Sequence, residues 1–190
     1  LKNLFSLMLL LGLLFSCDNG EKQPLANPTQ IDKYFPLKDF VINQLDKLNN
    51  HQVQKVTVIN GEEETTEVTL TKEQWRKELD AFIQADINKA ANSTAYEEQK
   101  NGKEKVYRLK PEAKGNIKEI KVTYLSPDSN KVMEVTFVAK SENFFYESST
   151  TGTLHFNEST GLISTYSVAG TQKVWFLSPN EIRVQGKVTE

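Results

Sequence analysis

Ile117-Lys118-Glu119-Ile120-Lys121-Val122-Thr123-Tyr124 alternates apolar and polar side chains almost residue by residue, and after a turn Met133-Glu134-Val135-Thr136-Phe137 does the same. A two-residue period puts Ile120, Val122 and Tyr124 on one face of a strand, with Lys121 and Thr123 on the other. Met133, Val135 and Phe137 share a face of the next strand, opposite Glu134 and Thr136. This is the signature of a sheet with one buried and one wet face. Working outward, the same alternation predicts strands at 94–100, 103–110, 117–125, 131–140, 143–157, 161–169, 172–178 and 180–188. Turn signals separate most of them: Asn101-Gly102, Pro127-Asp128-Ser129-Asn130, Glu158-Ser159-Thr160-Gly161 and Ser178-Pro179-Asn180. Connections this short imply an antiparallel meander, because parallel pairs need long crossovers.

Upstream the period changes. Leu37, Val41, Leu45 and Leu48 recur at helical spacing, which predicts an amphipathic helix from Pro36 to Asn49. Tyr34 and Phe35 should pack beneath its start. Val53 to Ile59 and Thr65 to Leu70 are rich in β-branched residues and flank Asn60-Gly61, a pair suited to a hairpin turn. Glu62, Glu63 and Glu64 then read as a solvated tip, the sharper alternative being a metal site. Thr71-Lys72-Glu73-Gln74 fits a capping box, with Leu70 and Trp75 as its hydrophobic staple. Trp75, Leu79, Phe82, Ile83 and Ile87 extend that helix to about Asn88, with Trp75 in the core. The fold expected is α+β: two amphipathic helices packed on a large, twisted antiparallel sheet that curls toward an open half-barrel.

The N-terminus carries a different message. Leu4 to Phe15 is an apolar run of twelve residues broken only by Ser6 and Gly12, followed by Ser16 and the single cysteine, Cys17. As a helix it would span ~18 Å, well short of a ~30 Å hydrocarbon core. That length suits a signal peptide. Leu14-Phe15-Ser16-Cys17 resembles the lipobox of bacterial lipoproteins, which implies cleavage before Cys17 and acylation of its thiol and new amino group. The division expected is a signal peptide at 1–16, a lipidated cysteine and flexible tether at 17–30, and a single α+β domain at 31–190. Two acyl chains already anchor a protein stably, so a triacylated Cys17 would hold it permanently. Asp18 and Glu21 leave the choice of membrane and leaflet open. Phe82 to Ala90, with Ala85-Asp86-Ile87-Asn88-Lys89 at its centre, and Tyr34-Phe35-Pro36-Leu37-Lys38-Asp39 together resemble small envelope lipoproteins of Bacteroidota. That likeness implies a location, the cell envelope, and no reaction.

Chemistry is sparse. With 23 basic and 25 acidic side chains and no long single-sign block, the chain lacks the basic patch of a nucleic-acid binder. One cysteine allows neither a disulfide within the chain nor a cysteine-based metal site. There are two histidines, His51 and His155, and His155 should point away from the face that Leu154 and Phe156 bury. No Gly-x-Ser-x-Gly turn, His-Glu-x-x-His motif or glycine-rich phosphate loop is present. No cofactor, metal or catalytic residue is therefore assigned.

Aromatic residues are the remaining candidates. Phe144-Phe145-Tyr146, Tyr166 and Trp175-Phe176 fall on three neighbouring predicted strands, and Phe145 should face away from Phe144 and Tyr146. Phe145, Tyr166 and Trp175 are the candidate ligand-binding residues, for a small apolar or glycan ligand or a protein partner; edge rings closing a second cluster are the plainer explanation. Three functions follow. The first is a non-enzymatic envelope lipoprotein whose sheet binds a ligand or partner, and its outline resembles carriers of lipoproteins and other lipids. The second is a structural or assembly subunit of an outer-membrane complex. The third is a glycan hydrolase working through paired carboxylates.

Overall fold

Residues 29–189 are described by the structure, a computed structural model. The expected signal peptide at 1–16, Cys17 and all but the last two residues of the tether lie outside the described residues. Among the described residues there are nine strands: β1 His51–Ile59, β2 Glu62–Leu70, β3 Tyr96–Asn101, β4 Glu104–Leu109, β5 Ile117–Tyr124, β6 Val132–Asn143, β7 Tyr146–Phe156, β8 Ile163–Val174 and β9 Asn180–Thr189. They form one antiparallel sheet in the order β2-β1-β9-β8-β7-β6-β5-β4-β3. From β3 to β9 each strand pairs with the next, the expected meander. The β1–β2 hairpin then adds to the open side of β9, with Val53 opposite Val188 and Ile59 opposite Ile182. The sheet dominates the fold and stays open.

Three short helices, α1 Leu37–Leu48, α2 Lys72–Glu78 and α3 Asp80–Gln84, cover part of one face. Phe82 meets Phe137 edge-on at 5.3 Å, Trp75 meets Tyr166 at 6.1 Å, and Phe40 meets Phe156 at 5.3 Å. Tyr34, just before α1, sits against both Tyr96 and Tyr107. Large rings dominate this layer because each removes some 150–250 Å² from water. Close approach is obtained by leaving out side chains opposite: a Cβ on Gly152 would lie 2.2 Å from the ring of Phe137, and one on Gly186 2.2 Å from that of Tyr166.

Local signals are met where the chemistry is strong. Asn60 and Gly61 both take positive φ between directly paired Ile59 and Glu62, the two-residue turn expected. The Thr71 capping box forms with both of its hydrogen bonds, and Trp75 is buried. Glu62, Glu63 and Glu64 are exposed at the start of β2. Both edge strands are charged, through Glu62, Glu63, Glu64 and Glu67 on β2 and Glu97, Glu98 and Lys100 on β3, which discourages another chain from adding to the sheet.

Four expectations are corrected. The helix expected to run from Thr71 to about Asn88 breaks at Leu79 and stops at Gln84. Leu79 leaves helical geometry at φ −96°, ψ 10°, and beyond Gln84 the Asp86 side chain accepts a hydrogen bond from the Asn88 backbone, an alternative to helix. The strands expected at 161–169 and 172–178 are one strand, β8, because Gly170 stays in the ladder opposite both Thr150 and Ile182. Residues 175–179 are a turn. Finally, β6 slips register between Glu134 and Val132, so Val132 rather than Met133 is buried.

Candidate functional site

The helix layer stops partway along the strands. No residue of 138–151 or 167–185 is buried, so the far halves of β6 to β9 run out from the core, with Ala139, Val168 and Val184 half-buried at its margin. Many of their side chains suit that position: Ser148 and Ser149 on β7 stand opposite Gln172 and Thr171 on β8, and Thr150 and Thr151 opposite Gly170 and Ala169. At the end of this projection the composition reverses. The β6–β7 turn is Phe144-Phe145 and the β8–β9 turn begins Trp175-Phe176-Leu177. Phe144 is 78% exposed, Phe145 59%, Trp175 67%, Phe176 79% and Leu177 57%.

Backbone hydrogen bonds shape the tip. The Asn143 carboxamide oxygen accepts from the Phe145 N–H at 2.9 Å, so a side chain closes the first turn. Trp175 N–H donates to the Phe145 carbonyl at 3.0 Å and welds one turn to the other. Leu177 N–H donates to the Val174 carbonyl at 2.9 Å and closes the second turn. The rings gather as a result: Phe144 and Phe145 are 4.9 Å apart, and Trp175 is 5.6 Å from the first and 6.2 Å from the second. The cleft among them, about 170 Å³, falls below the ~300–1,000 Å³ usual for ligand pockets. The tip is a convex apolar knob.

Phe145 and Trp175 are thus brought together, and Tyr166 is not. Tyr166 is 2% exposed on the helix-covered face, against Trp75, and its hydroxyl donates to Glu78 Oε1 at 2.8 Å. Lys55 Nζ holds the other carboxylate oxygen at 2.8 Å. Burial, and then the Glu78 charge, push the Tyr166 hydroxyl well above the ordinary tyrosine range. Its ring has no open face for a ligand. Alternation also fails at Phe144 and Phe145, which belong to a turn rather than to a strand.

No family model matches the chain, no curated protein matches it, and no solved structure matches it. The site must therefore be judged on its own chemistry.

Elsewhere several of the polar groups that could carry chemistry are paired with one another. On the open face of the sheet, Lys121 lies 3.7 Å from Glu104 and 3.9 Å from Glu134, and His155 Nδ1 lies 3.4 Å from Glu134. His51 is on β1, far from that row in the strand order. Two shallow depressions on this face, of about 300 and 360 Å³, mix polar groups such as Ser149, Thr151, Arg183 and Gln185 with apolar ones such as Val56 and Val58. The two segments singled out by their resemblance do meet. Asp86 Oδ2 accepts from the Lys38 N–H in the first turn of α1, at 2.9 Å, where Pro36 supplies no cap. Asn88 Oδ1 accepts from the N–H groups of Lys33 and Tyr34, and its amide donates to the carbonyls of Tyr34 and Phe35. This is a staple across the start of α1. Among the described residues no group of histidine, cysteine and carboxylate side chains could hold a metal.

Proposed function

We propose that this chain is a lipid-anchored lipoprotein of the cell envelope that acts without catalysis, as an interaction module presented on an α+β body. The observation that carries the interaction role is the tip: five large apolar side chains, each more than half exposed, held by hydrogen bonds at the end of two adjoining hairpins. A folded chain gains nothing by placing Trp and Phe in water, and contiguous exposed apolar groups usually mark a contact surface. The anchoring role rests on the lipobox at Leu14 to Cys17. No helix among the described residues is long and apolar enough to cross a membrane.

Two observations favour this over the alternatives. A glycan hydrolase needs a free acid and a base or nucleophile, and the neighbouring Glu104 and Glu134 both pair with Lys121. A lipid carrier needs an enclosed apolar cavity, and the depressions on the open face are shallow and mix hydroxyl, amide and charged groups with apolar ones. An assembly subunit of a larger complex would use the same tip and is distinguished by a stoichiometric partner.

The test is fatty-acid labelling and membrane fractionation of the full chain beside Cys17→Ser. The parent should carry label and sediment with membranes, and the variant should lose both. Label on neither form, with equal fractionation, would remove the anchor. A Phe145→Ser, Phe176→Ser form that keeps every ligand or crosslinked partner of the parent would remove the tip from the interaction.

A further inference from the structure

We propose that the aromatic tip docks into the surface of a lipid bilayer, the one to which the chain is anchored, so that the body stands on the membrane at two points. The inference rests on the anchored reading above for the orientation of the body.

Three observations choose a bilayer as the occupant. First, the tip is convex and combines phenylalanine, leucine and a tryptophan whose N–H can stay hydrated. Rings of this kind concentrate at membrane–water interfaces. Second, the strands behind it, β6 to β9 beyond the helix layer, carry serine, threonine and charged side chains on both faces. Lys140, Glu142, Glu147 and Lys173 are exposed just behind the rings, suited to a headgroup layer. Third, the preceding chain enters the fold beside the middle of β6 and β7, where the projecting half begins. Gln30 bridges Lys89, and Lys89 lines one depression together with Ala139 of β6 and Thr150 of β7. From Ala139 to Phe144 is five residues, ~17 Å along a strand. The twelve residues from Asp18 to Thr29 reach at most ~43 Å when extended. An acylated Cys17 can therefore sit in the same membrane plane as the rings without straining the fold. Edge-strand addition, the usual route for a protein segment, is opposed by the charges on β2 and β3.

The two tryptophans supply the experiment. Trp75 is fully buried in the core and Trp175 is two-thirds exposed at the tip. The full, acylated chain is reconstituted into vesicles of phosphatidylethanolamine and phosphatidylglycerol containing phosphatidylcholine brominated on its acyl chains. Flotation reads the anchor, and Trp175 emission reads the tip. The expected result is flotation with a blue shift, loss of Trp175 emission to the bromine, and loss of its quenching by acrylamide, against a constant Trp75 background. Phe145→Ser with Phe176→Ser should float equally and lose the blue shift and the bromine quenching. A parent that floats while Trp175 stays red-shifted, unquenched by bromine and open to acrylamide overturns the proposal, leaves the anchor standing and turns attention to a protein partner. A chain that fails to float and carries no fatty acid refutes the anchor; bromine quenching of Trp175 when the same vesicles are added to that chain then upholds the tip, and no quenching rejects it.

Discussion

The near and far halves of strands β6 to β9 share one ladder and one register, yet they solve opposite problems. In the near half, Val135, Phe137, Leu154 and Tyr166 lie beneath α2 and α3 and are buried, while the alternate positions are polar. In the far half, that same face carries Ser141, Ser148, Thr150, Gln172 and Asn180 among apolar side chains such as Ala139, Val168 and Val184, none of them fully buried. The most exposed large rings sit in the turns, where no core exists. The contrast teaches that burial follows the helix layer rather than the sheet, and that the rings at the tip are not displaced core residues.

The sharpest way to break this contrast is to remove equal apolar bulk from each half. Phe82→Ala deletes a fully buried ring packed edge-on against Phe137 and should cost ~3–5 kcal/mol, read as a fall in the urea midpoint at unchanged slope. A loss below 1 kcal/mol would mean that the helix layer is not the core. The complementary change adds bulk. Gly186→Ala places a Cβ against the Tyr166 ring and should cost ~1–3 kcal/mol, whereas Gly170→Ala, whose nearest neighbours would stand at 3.6 Å, should cost far less. Similar losses at both glycines would erase the distinction between halves.

Alkaline pH probes the packed half from another side. Burial, with Tyr34 adding to it, pushes the Tyr96 hydroxyl up to about 12 from the ordinary 10.0, and Tyr107 and Tyr166 are raised further. The fold therefore binds these protons more tightly than the unfolded chain does. Their contribution is intact below pH ~10 and declines as pH rises through the folded values. Stability should fall above pH ~10, and phenolate absorbance should show the core tyrosines ionising only as the fold is lost. Core tyrosines that ionise near pH ~10 while the fold persists would contradict the packing. Tyr166→Phe should flatten part of this decline.

How much of this was legible beforehand depends on whether local chemistry or distant packing decides each element. The Asn60-Gly61 turn, the Thr71 capping box, the stripe of α1 and the alternation of β5 are local, and each could be read directly. The end of α3 could not, because the stripe through Ile87 continues while the Asp86 and Asn88 side chains are taken by backbone groups some fifty residues away. The tip was half legible. Phe145 and Trp175 stood out by size, but Phe144, Phe176 and Leu177 were left out of the site because alternation was extended through two turns. A signal was present at each: Asn143 can close a turn over Phe144, and Trp175-Phe176-Leu177 runs directly into Ser178-Pro179-Asn180. Tyr166 was misplaced because a ring on a strand looks the same from sequence whether or not a helix covers it.

The smallest expected effect is the most telling. Phe145→Ser and Phe176→Ser, singly or together, should change unfolding stability by no more than ~0.5 kcal/mol each, since exposed positions away from caps and cores rarely matter more. Against the loss expected at Phe82, the same type of side chain would then be worth several kcal/mol in one half and nearly nothing in the other. Near-neutral substitution separates a tip shaped for contact from one that closes a small satellite core, because in the latter the rings would be buried by each other. If the pair instead lost ~2 kcal/mol or more, the cluster with Trp175 would be structural, and exposed rings would no longer argue for an interaction surface. Equilibrium unfolding in urea, followed by far-UV circular dichroism so that the tip tryptophan does not report on itself, decides between the two.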